Sequence, residues 1–486
     1  MNRPRRQTSQ GRGQRAQSGP KAPSWGATGL LVVALVVTAI LVDGSNAYAV
    51  AHSAAVGVGV GLGGLTLLEM RRSWRNLFRA DVMAMAALYF LTLFEFWFSQ
   101  AAFADRITAP LVQQGVDLVL GGFGGLALGR HIVPRPSRRV TRLMRHPTPP
   151  SLIVGVFWVC MGIGYLYMLL AVHFNLVEMV EAMLGPRFGR PWGRGRLGGW
   201  YALLYELHLF KYLIPPLFGV VLARRHRYTT GQVVAVVAGG LFTFFDGFAS
   251  GTRNIFGTYL LTFLVGYAFA LPHRAWKKAG VAFGIGSLLM YGATSVMLAF
   301  RDIGLGTYLA IGGRDRYLEE KSGLFIDYNL QNISRLTEAF PEPYGYLGWE
   351  VPYWALVRPV PRALWPGKPT GLSTGIEEAL GAEGLTLSTT FVGESYMAGG
   401  VIGIVLIAMV LGLLSSWWTQ HLERRNSDLG ILVYASGFFA IAVGMRSMFW
   451  VTTGMLPALA AVVIGTYLLR RYRVASGPQR SGHPVP

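Results

Sequence analysis

The chain has 486 residues, of which 52% are hydrophobic and only 14% charged, with a formal net charge of +20. A soluble domain carries about a quarter charged residues, so this composition excludes an ordinary water-soluble globule. A single cysteine, Cys160, excludes an internal disulfide and any multi-cysteine metal site.

The first 25 residues are basic and rich in Gly, Pro, Gln and Ser, a composition that predicts a disordered tail. The apolar stretch 26–42 and the following NAYAVA resemble a signal peptide. The run is long for one and reads better as a retained anchor. From there, apolar runs of about 18 to 23 residues match the thickness of a bilayer. They predict twelve transmembrane helices near 26–43, 47–68, 82–101, 110–129, 151–173, 200–222, 232–249, 255–271, 279–299, 395–417, 428–446 and 450–469. The fold class is therefore an all-α polytopic membrane protein, with spans 1–9 over 26–299 and spans 10–12 over 395–469.

The cations cluster in alternate connectors: MRRSWRNLFR (70–79), RHIVPRPSRRVTRLMRH (130–146), ARRHR (223–227), HRAWKK (273–278) and LERR (422–425). Short loops rich in Lys and Arg resist translocation, so these connectors and both tails, 1–25 and 470–486, are expected in the cytoplasm. Membrane orientation, rather than nucleic-acid binding, then accounts for most of the positive excess.

Two segments fall on the opposite side, a small loop over 174–199 and a large loop over 300–394 between spans 9 and 10. The large loop holds twelve acidic and eight basic residues, so it is not a polybasic lipid tether. Its aromatics, Tyr344, Tyr346, Trp349, Tyr353, Trp354 and Trp365, suit a membrane–water interface. The loop is expected to lie over the outer surface and roof a cavity. Within it VPRALWPGKPTG (360–371) packs three prolines, a tryptophan and two cations into a stiff lip.

Several cations escape the orientation rule. Arg190 lies in the small loop with Arg187, Arg194 and Arg196, and Lys211 lies inside a span. Arg253 and Arg446 sit at the outer mouths of spans, and Arg301 opens the large loop. Charge at membrane depth is costly and faces a cavity or a partner. Each cation alone suits a structural ion pair or an interface anchor as well as a ligand contact. Together they put positive charge where helix ends converge, and guanidinium forks match phosphate oxygens. Among the carboxylates, Glu394 in TTFVGESYMAGG (389–400) stands where a loop re-enters the membrane, either as a helix cap or as a base.

The chain has no D-x-D pair, no H-E-x-x-H and no G-x-x-x-x-G-K-[ST], and the large loop has no histidine. SGTRNIFG (250–257), the long loop, PRALWPGKP (361–369), GESYMAGGVIG (393–403) and the late Arg446-Ser447 resemble the Wzy-type polysaccharide repeat-unit polymerases of O-antigen and exopolysaccharide assembly. The likeness runs over roughly 245–450.

The resemblance implies a GT-C-like, metal-independent inverting glycosyltransferase of the bacterial plasma membrane, without a cofactor. Donor and acceptor would be oligosaccharides on undecaprenyl diphosphate. A chain-length regulator, a flippase and membrane lipids would be its partners. Arg253, Arg301 and Arg446 would bind the donor diphosphate, and Glu394 would deprotonate or orient the acceptor hydroxyl. Arg362 and Lys368 would grip phosphate or acidic sugar, or merely touch headgroups, while Trp365 stacks on a sugar ring. Arg190 and Lys211 are further substrate-binding candidates. The rival readings are a lipid-linked glycan transporter and an O-antigen ligase, the latter disfavoured by the missing loop histidine.

Overall fold

A computed structural model describes residues 20–42, 44, 46–132, 141, 148–192, 204, 206–312, 328–362, 364–382, 387–422 and 427–475. Among these residues all regular structure is helical. The main helices are α1 (Trp25–Leu41), α2 (Ala47–Arg72), α3 (Ala80–Thr92), α4 (Ala109–Gly129), α5 (Pro150–Ala171) and α6 (Leu176–Leu184). They continue with α7 (Ile214–Ala223), α8 (Thr230–Ala249), α9 (Arg253–Ala270), α10 (Trp276–Phe300), α11 (Asn329–Ala339) and α12 (Glu350–Val357). The last three are α13 (Thr390–Gln420), α14 (Asp428–Arg446) and α15 (Val451–Ala475).

Seven helical stretches of the described residues are long and apolar enough to cross a membrane: α2, α4, α5, α8, α13, α14 and Met448–Leu468. Every one of the twelve expected segments contains helix, but two are shorter or broken. The expected span 82–101 is α-helical only to Thr92 and continues as a 3-10 turn, Phe94–Trp97. The expected span 200–222 is a 3-10 stretch over Leu207–Leu213 that becomes α7 at Ile214. Pro215 and Pro216 occupy the first turn of α7, where their missing N–H groups cost no intrahelical bond.

The segments that the charge pattern assigns to one face do meet at one end, called here the connector end. Arg130, after α4, pairs with Glu69 of α2 at 2.8 Å and with Asp81 of α3 at 2.6 Å. Arg79 pairs with Asp81 at 2.9 Å and donates to the Ser416 hydroxyl of α13 at 3.2 Å. Asp428, opening α14, takes Arg227 at 2.9 Å and also Arg224. Arg75 reaches the Leu271 carbonyl at the end of α9, at 2.6 Å. These basic connectors were expected to answer mainly to membrane orientation. Within them Arg75, Arg79 and Arg130 are buried and tie α2, α3, α4, α9 and α13 together. The start of α1 joins the same network: the Ser24 amide donates to Glu69 at 2.9 Å, and Trp25 stacks on His131 at 3.6 Å.

α14 is buried along nearly its whole length and forms the centre of the bundle. Cys160 is a fully buried part of the core, as a small apolar residue would be. At the opposite end, called the loop end, a smaller core joins Ala249, Phe256, Phe300 and Leu305 from the tops of α8, α9 and α10 and the segment after them.

Near the loop end α13 is two helices rather than one. Gly399 and Gly400 leave helical geometry, and Gly400 adopts φ +60°, a left-handed value that favours glycine. A side chain there would also strike the Tyr346 hydroxyl, 2.8 Å from an added Cβ. The short first part carries Glu394, and the loop caps it: the amides of Leu347 and Gly348 donate to the carbonyls of Met397 and Ala398 at 2.8 and 2.9 Å.

Candidate functional site

Two groups of cations assemble at the loop end. The first surrounds the turn between α8 and α9. The Ser250 hydroxyl donates to the Gly247 carbonyl at 2.7 Å and accepts from the Thr252 amide at 3.1 Å, which ends α8 and starts α9 at Arg253. Gly251 sits at φ +63°, and a Cβ there would lie 3.2 Å from the Arg301 Cα. The left-handed turn and the close approach both call for glycine. The Arg301 carbonyl accepts from the Arg187 amide at 3.4 Å. The Arg190 guanidinium donates to the carbonyls of Met183 and Ala249 at 2.7 and 2.6 Å. Burial lowers the pKa of this arginine. Arg187, Arg190, Arg253 and Arg301, from three separate stretches of sequence, are thus fixed around one turn.

The second group is built on Glu394. Its carboxylate is 3% exposed. The Ser447 hydroxyl donates to one oxygen, and the Met448 amide donates to the other at 2.6 Å. Local sequence suggested that Glu394 would cap its own helix. It caps a different one, the turn Met448–Trp450 that leads into α15, reaching it across the bundle. Arg446 is the last residue of α14, immediately before that turn, and its carbonyl accepts from Ser388 at 3.4 Å. On the other side of the turn the Arg358 guanidinium lies over the Trp450 ring at 4.3 Å, within electrostatic reach of Glu394. The Thr452 hydroxyl ties the start of α15 to the Ala355 carbonyl at 2.5 Å.

Ring contacts put the two groups at matching heights. Phe269 of α9 meets Tyr434 of α14 at 5.3 Å toward the connector end. Farther along, Tyr212 bridges Tyr259 of α9 at 5.3 Å and Phe439 of α14 at 4.7 Å. The helices therefore run antiparallel. At a rise of 1.5 Å per residue, Arg253 lies roughly 9 Å beyond Tyr259, and Arg446 roughly 10 Å beyond Phe439. Neighbouring helices are about 8–10 Å apart. The structure thus places Arg253, Arg301 and Arg446 at one end of adjacent helices, with Glu394 beside the last.

The remaining candidates stand elsewhere. Lys211 is buried; its ammonium pairs with Asp246 at 2.7 Å, donates to the Tyr167 hydroxyl at 3.1 Å and faces the ring of Tyr165 at 5.0 Å. These partners place it in the bundle interior, away from the two groups at the loop end. Lys368 is also spoken for: it donates to the carbonyls of Arg358 and Val360 at 2.6 and 2.9 Å and lies over the Trp354 ring at 5.3 Å. Desolvation and the nearby Arg362 and Arg358 lower its pKa. The lysine fastens the lip rather than projecting from it, and Trp354 faces this lysine instead of serving only as an interface ring. Arg362 is exposed and reaches the Pro369 carbonyl at 3.5 Å, while Trp365 is half-buried. Arg194 and Arg196 fall outside the described residues.

Sequence reasoning missed Arg358, and it noted Ser447 only beside Arg446, not as a partner of Glu394. Arg358 stands two residues before the proline-rich stretch, and Ser447 directly follows Arg446. Neither carries a local signal, because each acquires its place only through contact with α13 or α15. The chain matches no family model, no curated protein and no solved structure.

Proposed function

We propose that this protein is a GT-C-like glycosyltransferase of the bacterial plasma membrane, spanning it twelve times with both termini in the cytoplasm. It joins oligosaccharide repeat units carried on undecaprenyl diphosphate into a surface polysaccharide at the outer face. The observation that carries this reading is the gathering of Arg253, Arg301 and Arg446 at the end of the bundle that bears the long loop. Arg253 opens a helix, where backbone amides and the dipole add to its attraction for an anion.

In this reading the arginines hold the donor diphosphate and stabilise its charge as the bond from the anomeric carbon to the phosphate oxygen breaks. An acceptor-sugar hydroxyl attacks that carbon from the opposite side, forming the new glycosidic bond and inverting the centre. Its proton passes to a base, for which Glu394 is the candidate carboxylate, or Glu394 orients the acceptor. The diphosphate leaves on its carrier lipid. Arg362 and Trp365 line the lip where sugar would pass. The chain would work beside a repeat-unit flippase and a chain-length regulator.

The test is reconstitution of the purified protein with a diphospholipid-linked repeat unit, without metal or nucleotide. Polymer ladders are the expected product. Arg253→Ala and Arg446→Ala remain folded and lose the ladders; normal ladders from both variants would remove the clamp. A second reading, a transporter of lipid-linked glycan, draws on one observation, the buried Lys211–Asp246 pair, since intramembrane ion pairs mark transport pathways. Movement of the labelled lipid between leaflets, with no bond formed, would favour it.

A further inference from the structure

The small loop starts at the end of one long apolar helix and is fastened to the end of another. His173 and Phe174 take left-handed φ values of +51° and +62°, and the Phe174 amide donates to the Leu169 carbonyl at 2.7 Å. This pattern ends α5 and turns the chain off its axis. Asn175 then caps α6, accepting from the amides of Val177 and Glu178 at 3.1 and 3.2 Å. At its other end, the Arg190 guanidinium donates both to Met183 of α6 and to Ala249, the last residue of α8. α5 and α8 run parallel, because Phe157 lies against Gly239 and the Tyr165 hydroxyl donates to Asp246 at 3.3 Å. Both helices end within about two turns of this last contact. α6, roughly 13 Å long, therefore bridges the ends of two helices long enough to cross a membrane, and runs across the end of the bundle.

The sides of α6 differ. Met179 and Met183, one turn apart, are buried. Leu176 and Val177 are 63% and 67% exposed, and Val180, one turn after Leu176, is exposed as well. On a helix these residues form one apolar arc, part against protein and part open, with the exposed Glu178 and Glu181 outside it. Two exposed phenylalanines, Phe174 and Phe188, flank the helix, and the Arg187 guanidinium lies over the Phe188 ring at 5.3 Å. The short helix Leu305–Ala310 is joined to the end of α6 at Gly304, whose φ is +88° and where a Cβ would lie 2.6 Å from the Gly185 carbonyl carbon. It leaves Leu309 and the adjacent Ile311 exposed.

We infer that α6, with Leu305–Ala310 beside it, is an in-plane platform seated in the lipid leaflet at the loop end. Its open apolar side meets acyl chains, and Glu178 and Glu181 face water. A helix fastened at both ends to the ends of crossing helices lies where hydrocarbon gives way to headgroups. Its apolar side there continues the lipid-facing surface of the bundle, the setting in which a helix with one apolar and one charged side is stable. A guanidinium over an exposed aromatic ring suits the same depth, with the ring toward hydrocarbon and the charge toward headgroups. The Arg187 amide donates to the Arg301 carbonyl at 3.4 Å, so the start of the large loop is held at this depth too. The platform is independent of the proposed reaction.

The experiment places the full chain in phosphatidylcholine nanodiscs with a nitroxide at Val177→Cys, Leu309→Cys or Glu181→Cys in turn. Cys160 is buried and stays unlabelled. Oxygen concentrates in lipid, and a nickel chelate stays in water. The ratio of oxygen to nickel relaxation is expected to be several-fold higher at Val177 and Leu309 than at Glu181. Equal ratios at Val177 and Glu181 would put the open side in water and overturn the inference. Protection of Val177 from both reagents would mean that protein covers it, a second copy or another chain, and would overturn the inference equally. Leu309 decides should Val177→Cys fail to fold. No ladder is read, so loss of the proposed reaction leaves the platform standing.

Discussion

The two ends of the bundle treat their cations differently. At the connector end Arg79, Arg130, Arg224 and Arg227 are paired with the carboxylates of Glu69, Asp81 and Asp428. At the loop end Arg190 and Lys368 donate to main-chain carbonyls, and Arg358 lies against an aromatic ring. A carboxylate cancels the charge it holds. A carbonyl or a ring orients the charge and leaves its sign in place. One end therefore joins its helices through ion pairs, and the other orients Arg190, Lys368 and Arg358 through carbonyls and a ring.

The sharpest way to break this contrast is at the connector end. Arg130→Ala leaves Glu69 and Asp81 buried without their shared cation, a loss of about 3–5 kcal/mol. A collapse in the yield of folded protein, measured by size-exclusion in detergent with thermal unfolding, is the expected outcome. An unfolding midpoint like that of the parent would mean the network does not hold the bundle. Lys211→Met in the interior should cost a similar amount by stranding Asp246. Here the double variant Lys211→Met, Asp246→Leu should recover most of it, because a matched apolar pair replaces a buried ion pair at little cost. Stability recovered together with ladders would make the pair structural. Stability without ladders would give it a part in function.

At the loop end the expected effects move from stability to activity. Arg301→Ala should leave the unfolding midpoint within a few degrees of the parent and reduce ladder formation. A large fall in stability with activity per folded molecule unchanged would turn this end into a second cohesion site. The smallest effect belongs to the lip. Lys368→Gln gives up at least one of its two carbonyl contacts, worth roughly 1–3 kcal/mol to a charged donor. It should raise amide exchange over 358–371 without changing global stability. Unaltered exchange there would mean that the prolines alone hold the lip.

Most of the framework was legible because it depends on local composition. Apolar runs mark helices wherever bilayer thickness sets the length, and alternate basic connectors group at one end as charge asymmetry required. The two short segments were misjudged for a related reason: apolar content alone does not reveal a 3-10 stretch before Pro215-Pro216 or the break after Thr92. Arg253, Arg301, Arg446 and Glu394 drew notice as charges at span ends. Lys211 drew notice as a charge inside a span and Lys368 as part of the lip; the sequence does not name their partners, since a cation's composition-level cost is identical whether it faces a ligand, Asp246 or a carbonyl.

Composition and charge order along the chain are enough to identify a helical membrane protein, its apolar segments and the connectors that share an end. They are enough because hydrophobicity and charge act additively along a chain in contact with lipid. Which partner each buried cation takes follows from helix packing alone. Ion pairing depends on a few ångströms between residues as distant as Arg130 and Glu69 or Glu394 and Ser447, and helix packing rather than neighbouring sequence sets those distances.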